Sequence, residues 1–218
     1  MWDIVTGIHV RTIKAHNGKI SSLSASKTEL ASGSYDGTVR VWDTAKWVCM
    51  CMFKCNDKVS VALYPNGKSV AAGDSKMLYV WDTGTKRPRA SYKLSSHNVA
   101  VSNNSKWLAV VSDETAALYD ASNLDCIWSH GRSSKFLSFS PDSSQLVSVN
   151  YDIVELLDVP TGNLLKSFKH DQVERAIFSH DGSRVLSGES YSVSLGTVLN
   201  SSIYQLPVAA LVDSGIST

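Results

Sequence analysis

Apolar and polar residues alternate in short runs along most of this chain, and turn-forming residues separate the runs. The clearest case is residues 30–43. Leu30 to Ser34 and Thr38 to Trp42 predict two strands, because both alternate in polarity and the second is rich in β-branched residues. Between them, Tyr35-Asp36-Gly37 predicts a tight turn, since glycine adopts positive φ freely and aspartate hydrogen-bonds its own backbone. No segment keeps a 3.6-residue period, so we expect an all-β protein.

The end of this hairpin recurs along the chain. Dipeptides that resemble its closing Trp42-Asp43 follow one another at intervals of 38 to 40 residues. The copies are Trp2-Asp3, Trp81-Asp82, Tyr119-Asp120, Leu157-Asp158 and Leu195-Gly196. Histidines precede apolar runs with a similar period, except in the second unit, which has Asn56-Asp57 there; they are His16, His97, His130 and His170. A near-constant period of this length indicates stacked supersecondary units.

A Trp-Asp ending at this period is typical of one family. On these residues the chain resembles the WD40-repeat β-propellers from about residue 2 to residue 196, most closely in residues 16–43. The resemblance implies about five recognisable four-stranded blades. The predicted blades are residues 8–43, 44–82, 83–120, 121–158 and 159–196, the first of them opening with a strand at 8–14. Residues 1–7 are interpreted as the remnant of a preceding blade and residues 197–218 as a tail of uncertain role.

Five units do not obviously close the ring that the resemblance implies, since propellers of this family typically have seven blades. In one arrangement, tail strands at Ser202 to Leu206 and Val208 to Val212 complete a further blade with residues 1–5. In the other, the ring is incomplete or open, and a longer parent protein supplies the missing blades. We expect the second arrangement.

The resemblance also implies a role for four polar or aromatic residues of the first unit. Carried over by position, the Trp42 indole donates to Ser32, Ser32 meets His16, and His16 donates to Asp36, which makes a structural hydrogen-bond network. The same residue types could form a nucleophile triad, but Ser32 falls in mid-strand without the glycine-rich elbow of hydrolases. The later units keep only parts of the network; the fourth has His130, Ser148 and Asp152.

A cysteine cluster invites interpretation as a metal site. Cys49, Cys51 and Cys55 share one face of a predicted strand, while Cys126 is distant in sequence. A line of thiols along one strand makes a poor tetrahedron, so we expect no metal and no cofactor.

Charge and hydropathy limit the partners. The formal net charge is +1 and the signs alternate along the chain, which speaks against a nucleic-acid surface. No apolar run is long enough to span a bilayer, so we expect no membrane association. The chain opens Met1-Trp2-Asp3-Ile4, without the pattern of a secretory signal, and we expect a cytoplasmic or nuclear protein with reduced thiols.

These patterns favour a non-catalytic scaffold that binds other proteins or peptides through loops at one end of the propeller. The candidate binding residues are Tyr35, Asp57, His97, Arg132, Tyr151 and Asp171. Three alternatives stay open: a nucleic-acid or peptide-motif binder, a hydrolase-like enzyme, and a non-functional fragment of a larger WD40 protein.

Overall fold

The protein is built from antiparallel sheets. The computed structural model describes residues 1–3, 5–113, 115–131, 134–169 and 172–188, together with the backbone of residues 193–197 and 203–206. Across these residues it has twenty strands, no helix, and five four-stranded sheets. The predicted all-β fold class is therefore confirmed. Within the described part of the chain, no helix has the length and apolarity needed to cross a membrane.

The strands follow one another in chain order from one side of each sheet to the other. The first sheet contains β1 (Ile20–Ala25), β2 (Glu29–Ser34), β3 (Thr38–Asp43) and β4 (Cys49–Lys54). The second contains β5 (Ser60–Leu63), β6 (Ser69–Gly73), β7 (Leu78–Asp82) and β8 (Pro88–Tyr92). The third contains β9 (Asn98–Val101), β10 (Trp107–Val111), β11 (Ala116–Asp120) and β12 (Cys126–His130). The fourth contains β13 (Phe136–Phe139), β14 (Gln145–Asn150), β15 (Ile153–Asp158) and β16 (Leu164–Lys169). The fifth contains β17 (Arg175–Phe178), β18 (Arg184–Gly188), β19 (Val193–Thr197) and β20 (Ile203–Leu206).

The sheets are offset by one strand from the repeat units of the sequence. The strand that opens the second unit, β4, pairs with β3 as the fourth strand of the first sheet. The predicted strand at residues 8–14 is wrong: this segment forms only one isolated bridge, between Trp2 and His9. Its counterparts elsewhere become strands because they pair with the third strand of a preceding sheet, and the structure describes no such sheet before β1. The tail segment 208–212 lies outside the described residues.

Apolar residues are buried where neighbouring sheets face each other. Between the first and second sheets, Ala31, Val39 and Val41 pack against Val59 and Val61. Three further clusters of the same kind fill the junctions between the second and third, third and fourth, and fourth and fifth sheets. Burial of apolar area at about 25 cal/mol per Å² makes these junctions the main source of stability.

Hydrogen bonds join the first strands of consecutive sheets. The Leu63 amide donates to Ser24 Oγ at 2.9 Å, and the Leu137 amide donates to Asn98 Oδ1 at 3.0 Å. Val99 donates to Ser60 Oγ at 3.3 Å in the same way. Each of these pairs is 39 residues apart. The first strand of a sheet has one edge without a neighbouring strand, so its backbone amides there need other acceptors. Side chains of the preceding sheet supply these acceptors.

The five sheets form an open series in the described part of the chain. β1 contacts β5, β5 contacts β9, β9 contacts β13, and β13 contacts β17, whereas β17 and β1 make no comparable contact. The first strands therefore line one side of a groove rather than a closed channel.

Gly33 lies where the first and second sheets approach each other closely. A Cβ atom added at Gly33 would lie 2.7 Å from Val59 O and 2.9 Å from Val61 Cγ1 in the second sheet. We expect Gly33→Ala to lower the free energy of unfolding by about 1–3 kcal/mol, because the backbone of Val59 cannot yield without disturbing the junction. Chemical denaturation measures this loss.

Gly84→Ala is the matched control, because its Cβ would meet only Asp82 Oδ1 at an ordinary 3.5 Å. Equal stability of the two variants would contradict the close-approach explanation.

Candidate functional site

The four residues singled out in the first unit lie together in the first sheet. Trp42 Nε1 donates to Ser32 Oγ at 3.0 Å, and Ser32 Oγ lies 2.8 Å from His16 Nε2. On the other side of the ring, His16 Nδ1 lies 3.2 Å from Asp36 Oδ2 and 2.9 Å from Thr38 Oγ1. A neutral imidazole protonated on Nδ1 fits these partners, with Ser32 donating to Nε2. The chain of contacts links β3, β2, the segment before β1, and the β2–β3 turn.

This arrangement is buried. The His16 side chain is fully buried, and Ser32 is only 1% exposed. Asp36 also accepts hydrogen bonds from the Asn17 amide at 2.9 Å and from the Thr38 hydroxyl at 2.6 Å. Burial by itself raises the pKa of Asp36, but the donors Thr38 and Asn17, with His16, outweigh it and hold that pKa well below its usual range. Asp36 is therefore ionised at neutral pH and fixes the turn to the segment before β1.

The second sheet has a different arrangement at the same place. Asp74 accepts from the Asn56 amide at 2.8 Å and from Asn56 Nδ2 at 2.9 Å, while the same Nδ2 donates to Tyr79 OH at 3.2 Å. Asn56 thus occupies the place that His16 has in the first sheet. Sequence reasoning noted the missing histidine but not Asp74 or Tyr79. The signal that could have found Asp74 is its position directly after β6, in the β6–β7 turn.

Only part of the network is present in the third and fourth sheets. In the third, His97 Nε2 contacts Asp113 Oδ1, with both side chains largely exposed. In the fourth, the position of His130 corrects the sequence interpretation: it ends β12 and its Nε2 lies 2.9 Å from Gly162 O. The partner of Ser148 is instead Ser134, at an Oγ–Oγ distance of 3.1 Å. The loop before β13 is long enough for His130 to stay on β12, and Ser134 takes the inner position.

Three of the six candidate binding residues line one recess. Tyr35, Asp57 and His97 come from the first, second and third sheets, and they meet at the end of the sheets that carries the β2–β3 and β6–β7 turns, which we call the hairpin end. The recess has a volume of about 410 Å³ and is also lined by Lys58, Ser60, Ser75 and Ser96. Tyr35 is 54% exposed and has Lys58 Nζ 5.7 Å from its ring centre.

The remaining candidates are not placed in that recess. Tyr151 is 59% exposed in the β14–β15 turn, and Lys135 Nζ lies 3.3 Å from the centre of its ring. Both tyrosines therefore stand in hairpin turns with a lysine over the ring. Arg132 and Asp171 lie outside the described residues, as does His170.

The cysteines do not gather around a common point. Cys49 is exposed, Cys51 is buried and Cys55 is partly buried. Burial raises the pKa of Cys55 to about 12, so this thiol stays protonated at neutral pH and is a poor metal ligand. Among the described residues, no three His, Cys, Asp or Glu side chains are grouped as a metal site requires.

Comparison with known proteins finds a repeat model that matches the N-terminal part of the chain. Residues 7–43 and 47–82 match the sequence model for the WD domain, G-beta repeat. These residues cover the strands of the first two sheets up to β7. The chain thus carries two repeats of the WD40 type in its first 82 residues, and four-stranded sheets of the same order follow them.

The relatives are longer than this chain. It is 25% identical over 177 residues to the p21-activated protein kinase-interacting protein 1-like of Xenopus laevis, covering 78% of this chain and 49% of that protein. It is 40% identical over 74 residues to the Periodic tryptophan protein 2 homolog of Schizosaccharomyces pombe, covering 32% and 9%. It is 28% identical over 160 residues to the U3 small nucleolar RNA-associated protein 15 homolog of Xenopus tropicalis, covering 67% and 31%. The chain thus spans about half or less of the length of these relatives.

Removal of the Ser32 hydroxyl tests how much the buried hydrogen bonds of the first sheet contribute to the free energy of unfolding. In Ser32→Ala, Trp42 Nε1 and His16 Nε2 both lose a partner inside the protein. We expect a loss of about 1–3 kcal/mol in the free energy of unfolding, the cost of leaving buried polar groups unpaired. Denaturant titration of the purified protein measures it.

Ser148→Ala is the matched control from the fourth sheet. Ser134 keeps its hydrogen bond to Val149 O at 3.1 Å when Ser148 is truncated, so the expected loss is smaller. A loss as large as that of Ser32→Ala would contradict the special weight of the first-sheet network.

Asp36 gives a prediction on pH. Its pKa in the folded state lies below the unfolded value of about 3.9, so its stabilising contribution is complete above that value and is lost as the pH falls toward the folded pKa. We expect Asp36→Asn to be less stable than the wild type at pH 7, with the difference in unfolding free energy shrinking below about pH 4. A difference that stays constant from about pH 7 to pH 3 would contradict this role.

Proposed function

We propose that this chain is a non-catalytic interaction module that binds a segment of a partner protein or peptide at its hairpin end. The observation that carries the proposal is the recess itself: Tyr35, Asp57 and His97, which are far apart in sequence, line one concave surface. Binding residues are commonly found on loops held by a rigid scaffold. An exposed aromatic ring beside a polar recess is a typical anchor point for a partner.

The recess stands on turns that are held rigidly. Asp57 accepts hydrogen bonds from the backbone amide of Ser75 at 3.2 Å and from the Ser75 hydroxyl, which ties the β4–β5 connection to the β6–β7 turn. Asp74 accepts from the Lys76 and Met77 amides, each at 2.8 Å. Preorganised turns lower the entropy cost of binding, which supports a binding role for this surface.

The buried state of Ser32 argues against a hydrolase. A nucleophilic serine needs access to substrate and an adjacent oxyanion hole, but Ser32 is almost fully buried and already bonded to Trp42 and His16. The same four residues therefore support a structural role for the first-sheet network.

The relatives are consistent with a partner-binding role. The Xenopus laevis relative is named for its likeness to a protein that interacts with a kinase, and the Xenopus tropicalis relative is named as the homolog of a protein associated with a small nucleolar RNA. Neither partner is carried over to this chain. The cytoplasmic or nuclear location and a protein partner remain predictions for it.

Tyr35 is the residue to vary first. Removal of a central aromatic anchor commonly costs more than about 1.4 kcal/mol of binding energy, which is a tenfold loss of affinity. We expect Tyr35→Ala to reduce the recovery of specific partners about tenfold in quantitative affinity purification with the tagged chain, without a change in melting temperature.

Lys68→Ala is the control, because Lys68 is exposed in the β5–β6 turn at the opposite end of the sheets. It should leave the recovery of partners unchanged. Equal recovery of every co-purifying protein with the wild type and both variants would contradict binding at the hairpin end.

A further inference from the structure

The first strands of the sheets enclose a polar groove. Residues of β1, β5, β9 and β13 line it, and its volume is about 620 Å³. It adjoins the recess at the hairpin end, since Lys58, Ser60 and His97 line both. A partner segment held in the recess can therefore continue into the groove.

Three basic or titratable side chains stand at the mouth of this groove. Lys58 precedes β5, His97 precedes β9, and Arg175 begins β17. Phe136, at the start of β13, lies between His97 and Arg175 in the same series, and each step of the series is 39 residues. The repeat thus places these side chains along one arc instead of scattering them over the surface.

Aromatic rings support the two permanent cations. Lys58 Nζ lies 5.7 Å from the ring centre of Tyr35, and the Arg175 guanidinium carbon lies 5.4 Å from that of Phe136. Cation–π contacts of this kind leave the hydrogen-bond donors of the cation available to a ligand.

The groove walls carry no opposing charge. Among the described residues that line it, none is Asp or Glu; the other polar residues are Ser and Asn. At the hairpin end, Asp57 accepts a hydrogen bond from the Ser75 hydroxyl, and Asp113 is hydrogen-bonded to His97. A nearly neutral chain therefore has one concave surface whose charged groups are all basic.

We propose that this groove mouth binds an acidic segment of a partner protein, with Lys58 and Arg175 contacting successive anionic side chains. The proposal rests on the function proposed above and names the chemistry of the partner. The arc of separated cations favours a peptide carrying several carboxylates or phosphates over a single small anion. Serine hydroxyls and asparagine amides farther along the groove supply donors and acceptors for the peptide backbone.

Fluorescence anisotropy with synthetic peptides tests the proposal. The probes are fluorescein-labelled peptides of about ten Gly and Ser residues that contain four Glu, four phosphoserines or four Gln. We expect saturable binding of a Glu or phosphoserine peptide that weakens as salt is raised from about 50 to about 200 mM, and no binding of the Gln peptide. Binding of both acidic peptides assigns the site to carboxylates and phosphates alike, whereas binding of only the phosphoserine peptide assigns it to phosphate.

The variants locate the site. Lys58→Gln and Arg175→Gln should each weaken binding about threefold or more, and the double variant about tenfold or more, while Lys68→Gln at the opposite end has no effect. Circular dichroism establishes that the variants are folded. The proposal is overturned if neither acidic peptide binds, if the Gln peptide binds equally well, or if Lys68→Gln is as damaging as Lys58→Gln. It is also overturned if a single-stranded RNA of matched charge binds more tightly than both acidic peptides through the same two cations.

The two proposals fail separately. If Tyr35→Ala loses partners but no acidic peptide binds, the hairpin end is a binding surface and only the acidic chemistry is wrong. If acidic peptides bind through Lys58 and Arg175 but Tyr35→Ala keeps every partner, the groove assignment stands and the recess is not where the partner is anchored.

Discussion

Contact between neighbouring sheets is the constraint on which the rest of this structure depends. A four-stranded sheet has two faces and two free edges, and here the apolar residues of one sheet are buried mainly by the sheet beside it. The short side chains at the first junction, such as Gly33 and Ala31, let the second sheet approach closely enough to exclude water. Because packing is pairwise along the series, the loops of adjacent sheets are brought together at one end, and the recess is a consequence of that packing.

The polar network of the first sheet acts within this frame. Trp42, Ser32, His16 and Asp36 connect the outer part of the sheet to the loop that precedes its first strand. The second sheet reaches a related result with Asn56 and Asp74. In both sheets a turn aspartate accepts donors from the loop before the first strand, so the position of that loop is fixed by the turn of its own sheet.

Much of the fold could be predicted from the sequence because each repeat has its own turn residues and its own alternation of apolar and polar residues. The turn at Asp36-Gly37 and the alternation on either side of it mark β2 and β3 directly. Pairing between segments that are far apart in the chain is harder to predict from the sequence than a turn is. The segment at 8–14 has a strand-like sequence, yet it forms no strand, because strand formation depends on a neighbour and not on the segment alone.

The site shows the same limit. The sequence indicates that Tyr35, Asp57 and His97 lie in loops at one end of the sheets, because each has a corresponding place in the repeat. That they share one recess depends on how three sheets pack, which the sequence does not show. The sequence does not predict the position of His130 correctly. This residue lies six positions before the start of β13, which is far enough for it to end β12 instead. The sequence shows Asn56 in place of the histidine, but residue type alone does not reveal that its amide replaces the imidazole as a donor to Asp74.

Where a backbone amide is the donor, the hydrogen bonds between first strands run in one direction. The later sheet donates backbone amides, and the earlier sheet provides the accepting Ser24, Ser60 or Asn98. During synthesis the N-terminal sheet emerges first, so the acceptors are in place before the strand that needs them. The series of sheets therefore has a direction, because each sheet presents the acceptors that the next sheet in the chain needs. Exchanging the order of two sheets would separate these donors from their acceptors.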